Sequence, residues 1–377
     1  MANANTAQLI IADSERNANL FYATNFLAPD PFVFLQINGR RMLVMSDLEV
    51  DRARSQSSVE EVLSFTRIAE QAKKRLGSEP GLMDVVDEVL RGAGIKAVEV
   101  PRDCGVAYAD RLRQLGYEVR PKADPFYPQR MIKSEREIGL IMETIRATED
   151  ALEQIIELVS QTEIRADGAL WIGGKPLTVE LLRRALHLQM MERDCVGQHT
   201  IIAPGVQAVD PHNEGSGPLR ANEPIVMDVF PQHATSRYYS DMTRTIVRGK
   251  ASDKVKRMFE AVREGQEIAF GMIRDGVDGQ TIHQKIMDRF NALGFHTGEQ
   301  NGRMQGFFHG TGHGVGLEIH EPPRISSRPD ILRSGMVVTV EPGLYYLDAG
   351  GMRIEDMVVV EPTGCRIMTQ LPRVLEV

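Results

Sequence analysis

The chemistry-bearing residues of this 377-residue chain gather in three short stretches. In HGTGHGVGLEIHE, His309 and His313 stand four positions apart and His320 seven further on, among alternating glycines. In EPIVMDVFPQHATSRYYSDMTRTIV, Asp228 ends an apolar run and Asp241, 13 positions later, opens a β-branched one. In SGMVVTVEPGLYYLDAGGMRIEDMVVV, Glu341 ends an apolar run and Glu355, 14 positions on, lies at the edge of another. Both acidic stretches follow one plan: apolar strand, carboxylate, loop, carboxylate, strand. An anion at the end of a buried strand costs on the order of several kcal/mol unless something pairs with it. No matching set of lysines accompanies the four, so the pattern asks for a cation. Any one of these acids could be a solvated strand end. Four in two parallel arrangements, with histidines between them, are poorly explained that way. An oxygen-rich set with one imidazole suits manganese, cobalt, iron or zinc. Four carboxylates also balance two divalent ions, a recurring hydrolytic arrangement with metals about 3.5–4 Å apart and a bridging hydroxide.

The histidine stretch cannot be a comfortable helix, because each interior glycine costs about 0.8–1 kcal/mol relative to alanine. Period two predicts a strand with His309, Thr311, His313 and Val315 on one face and glycines on the other. The glycine face would let a second backbone approach closely. Beyond His320, Pro322 and Pro323 predict a turn. Other motif readings fail on detail. HGTGH lacks the glutamate of HExxH, Val315 and Leu317 break any GxGxxG register, and no GK[ST] follows.

The elements that must position these residues are legible in part. FVFLQINGRRMLVMS alternates and folds at Asn38-Gly39, a hairpin signal. MDVVDEVLRGAGI predicts a short helix ending in glycine, KAVEV a strand, and GVAYADRLRQLGYEV repeats the pair. Pro121, Pro125 and Pro128 mark a linker, which divides the chain into a small α/β domain over 1–128 and a larger one over 129–377. Ser134 and Glu137 form a capping-box pattern ahead of a helix striped by Ile138, Ile141, Ile145, Leu152, Ile156 and Val159. Two more helices are expected over TVELLRRALHLQMMERD and SDKVKRMFEAVREGQEIAFGMI, with strands and turns elsewhere. Trp171 reads as a packing aromatic in a glycine-rich connection.

Composition excludes several classes. The net charge of −8 argues against a nucleic-acid partner, and no apolar run reaches the length of a membrane span. The N-terminus lacks the pattern of a signal peptide. Cys104, Cys195 and Cys365 are odd in number and widely spaced, which speaks against a disulfide framework or thiolate zinc site and for a reducing cytoplasm.

Taken together, Asp228, SDMTRT with Asp241, HGTGHGVGLEIHE, VEPGLYY and MRIED resemble the motif set of the pita-bread (M24) metallopeptidases, which include methionine aminopeptidase, aminopeptidase P, prolidase and the creatinases. The resemblance is strong over about the last 245 residues and weaker over 1–128. It implies an α+β chain, with a C-terminal pita-bread catalytic domain and a smaller creatinase-like α/β domain before it. It implies two divalent metals, manganese first and cobalt, zinc or iron as alternatives, held by Asp228, Asp241, His313, Glu341 and Glu355. A metal-bridging water or hydroxide would attack the scissile carbonyl, with Glu341 as general base and His212 and His320 beside the reacting amide. His309 and RIED match the proline-cleaving branch, where His309, Tyr345 and Arg353 would line or support the proline pocket. Arg353 could equally be a strand-edge arginine paired with a nearby acid. The expected activity is hydrolysis before proline, in dipeptides or at peptide N-termini, by a cytoplasmic homodimer. A departure lies between Asp228 and Asp241, where Phe230 stands at the family's usual glycine and the loop is longer. His233 in that loop reads as solvated rather than as an extra ligand. The longer loop keeps open a hydrolase or lyase of a small non-peptide substrate, and a binding protein without activity is the remaining alternative.

Overall fold

The computed structural model describes residues 5–377. It divides into two compact units, one running to Arg130 and the other spanning Met131–Val377.

The first unit is built on a six-stranded sheet of order β4-β3-β2-β1-β5-β6. Its strands are β1 (Thr6–Ala12), β2 (Phe32–Ile37), β3 (Arg40–Met45), β4 (Glu61–Ser64), β5 (Ala97–Pro101) and β6 (Glu118–Lys122). Asn38 and Gly39 both adopt positive φ, 53° and 82°, which a two-residue turn of matching twist requires between β2 and β3. Strand alternation divides the apolar residues between two faces. Leu9, Val33, Leu35 and Val44 enter one cluster with α3 (Phe65–Leu76), α4 (Leu82–Gly92) and α5 (Val106–Gln114). Ile10, Phe34, Leu43 and Met45 enter the other with α1 (Ala18–Thr24) and α2 (Val50–Gln56). Helices α4 and α5 and the strands after them fall where the sequence predicts.

The second unit opens with α6 (Glu135–Ser160), whose capping box forms as expected: Ser134 Oγ accepts from the Glu137 amide and the Glu137 carboxylate accepts from the Ser134 amide. Its buried stripe includes Ile155 in place of the expected Ile156. Then come α7 (Val179–Met191), α8 (Asp253–Met272) and α9 (Gly279–Ala292). Helix α9 lies where strands and turns are expected; Asp278 caps it, and Ile282, Ile286 and Phe290 recur every four residues. Trp171, in the connection between α6 and α7, sits on a short strand, Leu170–Ile172, with the Arg165 guanidinium packed over its ring.

Two antiparallel sheets carry the acidic stretches. One orders Ile201–Pro204, Pro224–Val229 and Met242–Val247 side by side. The other orders Glu321–Ile325, Gly312–Gly314, Val337–Val340, Asp356–Val360 and Cys365–Ile367. Helices α8 and α9 cover the second, with Val262, Ile282, Ile286 and Phe290 against Val338, Val340, Val358 and Val360. Threonines stitch the two sheets. The Glu355 amide, at the head of Asp356–Val360, donates to the Thr243 carbonyl at 3.0 Å, and Thr245 Oγ1 bonds the backbone of Arg353, on the neighbouring strand Gly350–Arg353, at 2.8 and 3.1 Å. None of the helices among the described residues is long and apolar enough to cross a membrane.

The histidine stretch departs from expectation. Only Gly312–Gly314 is strand, with a register shift after His313. The Thr311 amide bonds the Ile325 carbonyl and the Val315 amide the Val337 carbonyl, so the chain is threaded between two strands rather than extended as one. Pro322 and Pro323 lie within the strand Glu321–Ile325, not in a turn. The close approach of backbones does hold: a Cβ on Gly312 would stand 2.0 Å from the Thr339 carbonyl oxygen.

That contact yields a test. Gly312→Ala must displace a neighbouring strand and should destabilise by about 1–3 kcal/mol or more. Gly139→Ala, at an exposed position of α6 with open space around its Cβ, should stabilise by up to about 1 kcal/mol. Paired thermal melts of the two variants check both signs.

Candidate metal centre

The expected ligands occupy the positions the strand plan assigns. Asp228 lies in Pro224–Val229, and Asp241 immediately precedes Met242–Val247. Glu341 follows Val337–Val340 and Glu355 precedes Asp356–Val360. With His313 they line one cavity of about 600 Å³, together with His212, His309, His320 and Arg353. That size suits a small-molecule or short-peptide substrate. Ligand atoms of Asp241, His313 and Glu355 all lie within 4.8 Å of one another. Tyr345 is buried just behind, hydrogen-bonded to His309 and Arg353.

Proton positions follow from the partners. His313 Nδ1 faces the Gly314 carbonyl at 3.1 Å, so it carries the hydrogen. Its Nε2 lone pair then faces Glu341 Oε1 at 3.3 Å and Asp241 Oδ2 at 3.6 Å, three lone-pair-bearing atoms that need a proton or a cation between them. His309 is arranged differently. Its Nδ1 donates to the Gly310 carbonyl at 2.8 Å, and its Nε2 accepts from the Tyr345 hydroxyl at 2.9 Å. Tyr345 Oη in turn accepts from Arg353 Nη1 at 2.8 Å, while Arg353 Nη2 holds Asp228 Oδ2 at 2.6 Å. Both His309 nitrogens are therefore engaged, and it offers the cavity only ring surface. His320 sets its ring edge-on to His313, with centroids 4.4 Å apart.

Electrostatics make the same point. Burial, reinforced by the neighbouring carboxylates, pushes Asp241 and Glu355 well above the usual carboxylate range. Glu341 is pushed up to about 7, chiefly by burial. Burial holds His309 and His313 down at about 3, so both are neutral. Burial also works against the Arg353 charge, but Tyr345, Asp228, Glu355 and Glu341 outweigh it. Asp228 Oδ1 and Asp241 Oδ1 are buried without a hydrogen-bond partner. Orphaned carboxylate oxygens beside a free imidazole lone pair fit a divalent cation, and the set contains no thiolate.

Several contributors escape the sequence reading. Thr243 Oγ1 donates to Glu355 Oε2 at 2.7 Å and accepts from Arg353 Nε at 3.1 Å. Its signal was available, since Thr243 shares a strand face with Asp241. Arg324, Phe308 and Ile201 also line the cavity, and nothing in their local sequence marks them. Phe230 lines it too, in keeping with its unusual place. His233 stays out of the cavity lining; its Nδ1 accepts from the Thr235 and Ser236 amides in a tight turn.

These shifts set a pH dependence for chelated protein. A raised acid such as Glu341 contributes stability that is full below 4.5 and lost once pH passes about 7; Asp241 and Glu355 act in the same sense. Lowered His309 and His313 act oppositely, with stability full above 6.5 and lost as pH falls toward 3. Above pH 6.5 only the carboxylates still change. EDTA-treated protein should therefore melt at falling temperature from about pH 6.5 to 8, and saturating manganese should flatten the trend. A flat melting curve without metal would show that the buried carboxylates are not raised in the folded chain.

Comparison with known proteins agrees with this geometry. Residues 139–362 match the model of metallopeptidase family M24. The chain is 29% identical over 373 residues to a Xaa-Pro dipeptidase of Pyrococcus horikoshii, covering 96% of this chain and 92% of that one. It is 32% identical over 294 residues to a Xaa-Pro dipeptidase of Pyrococcus furiosus, 78% of each chain. Among solved structures, an X-Pro aminopeptidase from Thermotoga maritima superposes with a TM-score of 0.81 at 26% identity, over 99% of this chain and 97% of that one. The α+β architecture is thus the pita-bread one, the enzyme is a metallopeptidase, and the chain belongs to metallopeptidase family M24.

Proposed function

We propose that the protein is a dinuclear-metal Xaa-Pro peptidase that hydrolyses the bond preceding proline. The observation that carries this is the single cavity where one imidazole lone pair and four crowded carboxylates converge. Asp228, Asp241, His313, Glu341 and Glu355 would hold two divalent ions, manganese first, with cobalt, zinc or iron able to substitute. When bound, such ions supply a nucleophilic water at neutral pH and polarise a carbonyl. Glu341, whose carboxylate lines the cavity beside His313, is placed to take and return a proton of the attacking water. His212 and His320 line the cavity where an N–H donor would meet the reacting amide. Phe308, with the ring of His309 5.0 Å from that of Phe307, offers an aromatic wall suited to a proline ring. Tyr345 and Arg353 hold that wall and Asp228 in place.

Arg324 favours the dipeptidase form of this reading. It is an exposed guanidinium in a cavity otherwise rich in anions, suited to the free carboxylate of a Xaa-Pro dipeptide. We assign residues 1–128 as the accessory domain and 129–377 as the catalytic one, and place the enzyme in the cytoplasm as a homodimer. Phe230, narrowing the cavity where the family has glycine, keeps a second reading: hydrolysis or lysis of a small non-peptide substrate.

Manganese- or cobalt-loaded enzyme should cleave a panel of Xaa-Pro dipeptides, and Glu341→Gln should lower kcat by about 10²-fold or more even at saturating metal. Arg324→Met should raise KM for Xaa-Pro dipeptides about tenfold and leave Xaa-Pro-Yaa tripeptides nearly unchanged. A metal-loaded enzyme inert on both panels would overturn the peptidase specificity and favour the non-peptide substrate.

A further inference from the structure

Behind the carboxylates lies a second buried polar layer that plays no part in the reaction proposed above. Strand alternation places Asp241, Thr243 and Thr245 toward the cavity and Arg244 on the opposite face. Glu355 faces the cavity in the same way, and Asp356 faces back. Arg244 and Asp356 are 2% and 1% exposed, and they meet at 2.8 Å. All four acceptor directions of Asp356 are filled. Oδ1 accepts from Arg244 Nη2 and, at 2.6 Å, from Thr369 Oγ1; Oδ2 accepts from Gln266 Nε2 at 3.0 Å and Arg373 Nε at 2.9 Å.

The donors of this layer also reach main-chain oxygens of the site. Arg244 Nη1 donates to the Glu355 carbonyl at 2.7 Å and to the Thr243 carbonyl at 2.9 Å. Gln266 Nε2, from α8, donates to the carbonyl of Val340, the residue before Glu341, at 2.9 Å. Val340 and Asp356 are direct cross-strand partners, so Gln266 bridges the two strands at the point where both carboxylates leave them. The Thr243 carbonyl, which also accepts from the Glu355 amide, is fixed from both sides.

We propose that Arg244, Asp356 and Gln266 are positioning residues for the metal centre, holding the backbone of Glu341 and Glu355 from the far face of the sheet. A carboxylate on a loose backbone must be ordered when a cation binds; one already fixed need not be, and affinity rises accordingly. The inference rests on the reading that Glu341 and Glu355 are metal ligands. It does not depend on which peptide is cleaved.

The test uses cobalt binding by full-length protein, read as titration affinity and as the visible absorption of the cobalt-loaded form. Gln266→Leu keeps its size and loses both donations. Asp356→Asn keeps the shape and removes the charge. Each should bind cobalt about 10-fold more weakly and alter the visible band, which reports coordination geometry. Thr369→Val, which touches Asp356 and no carbonyl beside a ligand, should stay within about twofold of wild type. Ile282→Val, in the α9 core, serves as a control for general loss of stability. Unchanged affinity and absorption in folded Gln266→Leu would overturn the proposal, as would an equal effect in an equally destabilised Ile282→Val. Should Asp356→Asn fail to fold, Gln266→Leu alone decides. Wild-type protein that takes up no cobalt would instead remove the metal reading, and this inference with it.

Discussion

Mutual repulsion among Asp228, Asp241, Glu341 and Glu355 on one buried wall is the condition to which the rest of the site responds. Two like charges about 4 Å apart repel by several kcal/mol at the effective dielectric of a partly buried site. Of the two guanidinium groups in the cavity lining, Arg324 is exposed and Arg353 bonds only Asp228 among the four. Thr243 and Thr339 each add a hydroxyl donor, to Glu355 and Glu341. These contacts cannot balance four anions, and burial together with the remaining repulsion raises Asp241, Glu341 and Glu355, a demand for protons or cations. The framework withstands this because α8 and α9 bury a continuous apolar layer against the sheet that carries Glu341 and Glu355. Each fully buried Ile, Val or Phe there contributes about 1.5–3 kcal/mol. A few such side chains offset one uncompensated carboxylate.

The two histidines share one tautomer and divide the work by what meets Nε2. His313 spends its N–H on the next carbonyl and turns a lone pair inward. His309 spends both nitrogens, one on Gly310 and one on Tyr345. Sequence spacing treats the two as equivalents on one strand face. Hydrogen bonding makes one a ligand candidate and the other part of the wall.

Much of this was legible in the chain. Asp228, Asp241, Glu341 and Glu355 stand out because charged residues rarely end apolar strands, and the common plan of the two stretches suggested that they meet. The Asn38-Gly39 turn and the Ser134 capping box were readable because each depends on a few adjacent residues. The extent of the histidine strand was not readable, because threading between two neighbours is a tertiary outcome that local period cannot report. Helix α9 is hard to read from the sequence although Ile282, Ile286 and Phe290 mark one face, since GQTIHQKIMDRFNA is mostly polar. Arg324 was invisible for a different reason: an arginine declares a role only when the cavity around it is known.

The threonine stitching at Thr243 and Thr245 has a kinetic side. Asp228 and Glu355 are 127 positions apart, and their strands belong to different sheets. Neither sheet alone brings Asp241 to Glu355; the bond from the Glu355 amide to the Thr243 carbonyl does, with the Thr245 contacts to Arg353 beside it. Loop-closure entropy must be met before such distant pairings return any free energy, which places assembly of the centre late in folding. A cation that binds only the assembled centre then acts mainly by retarding its opening, so metal would govern the lifetime of the native chain more than the speed of its formation.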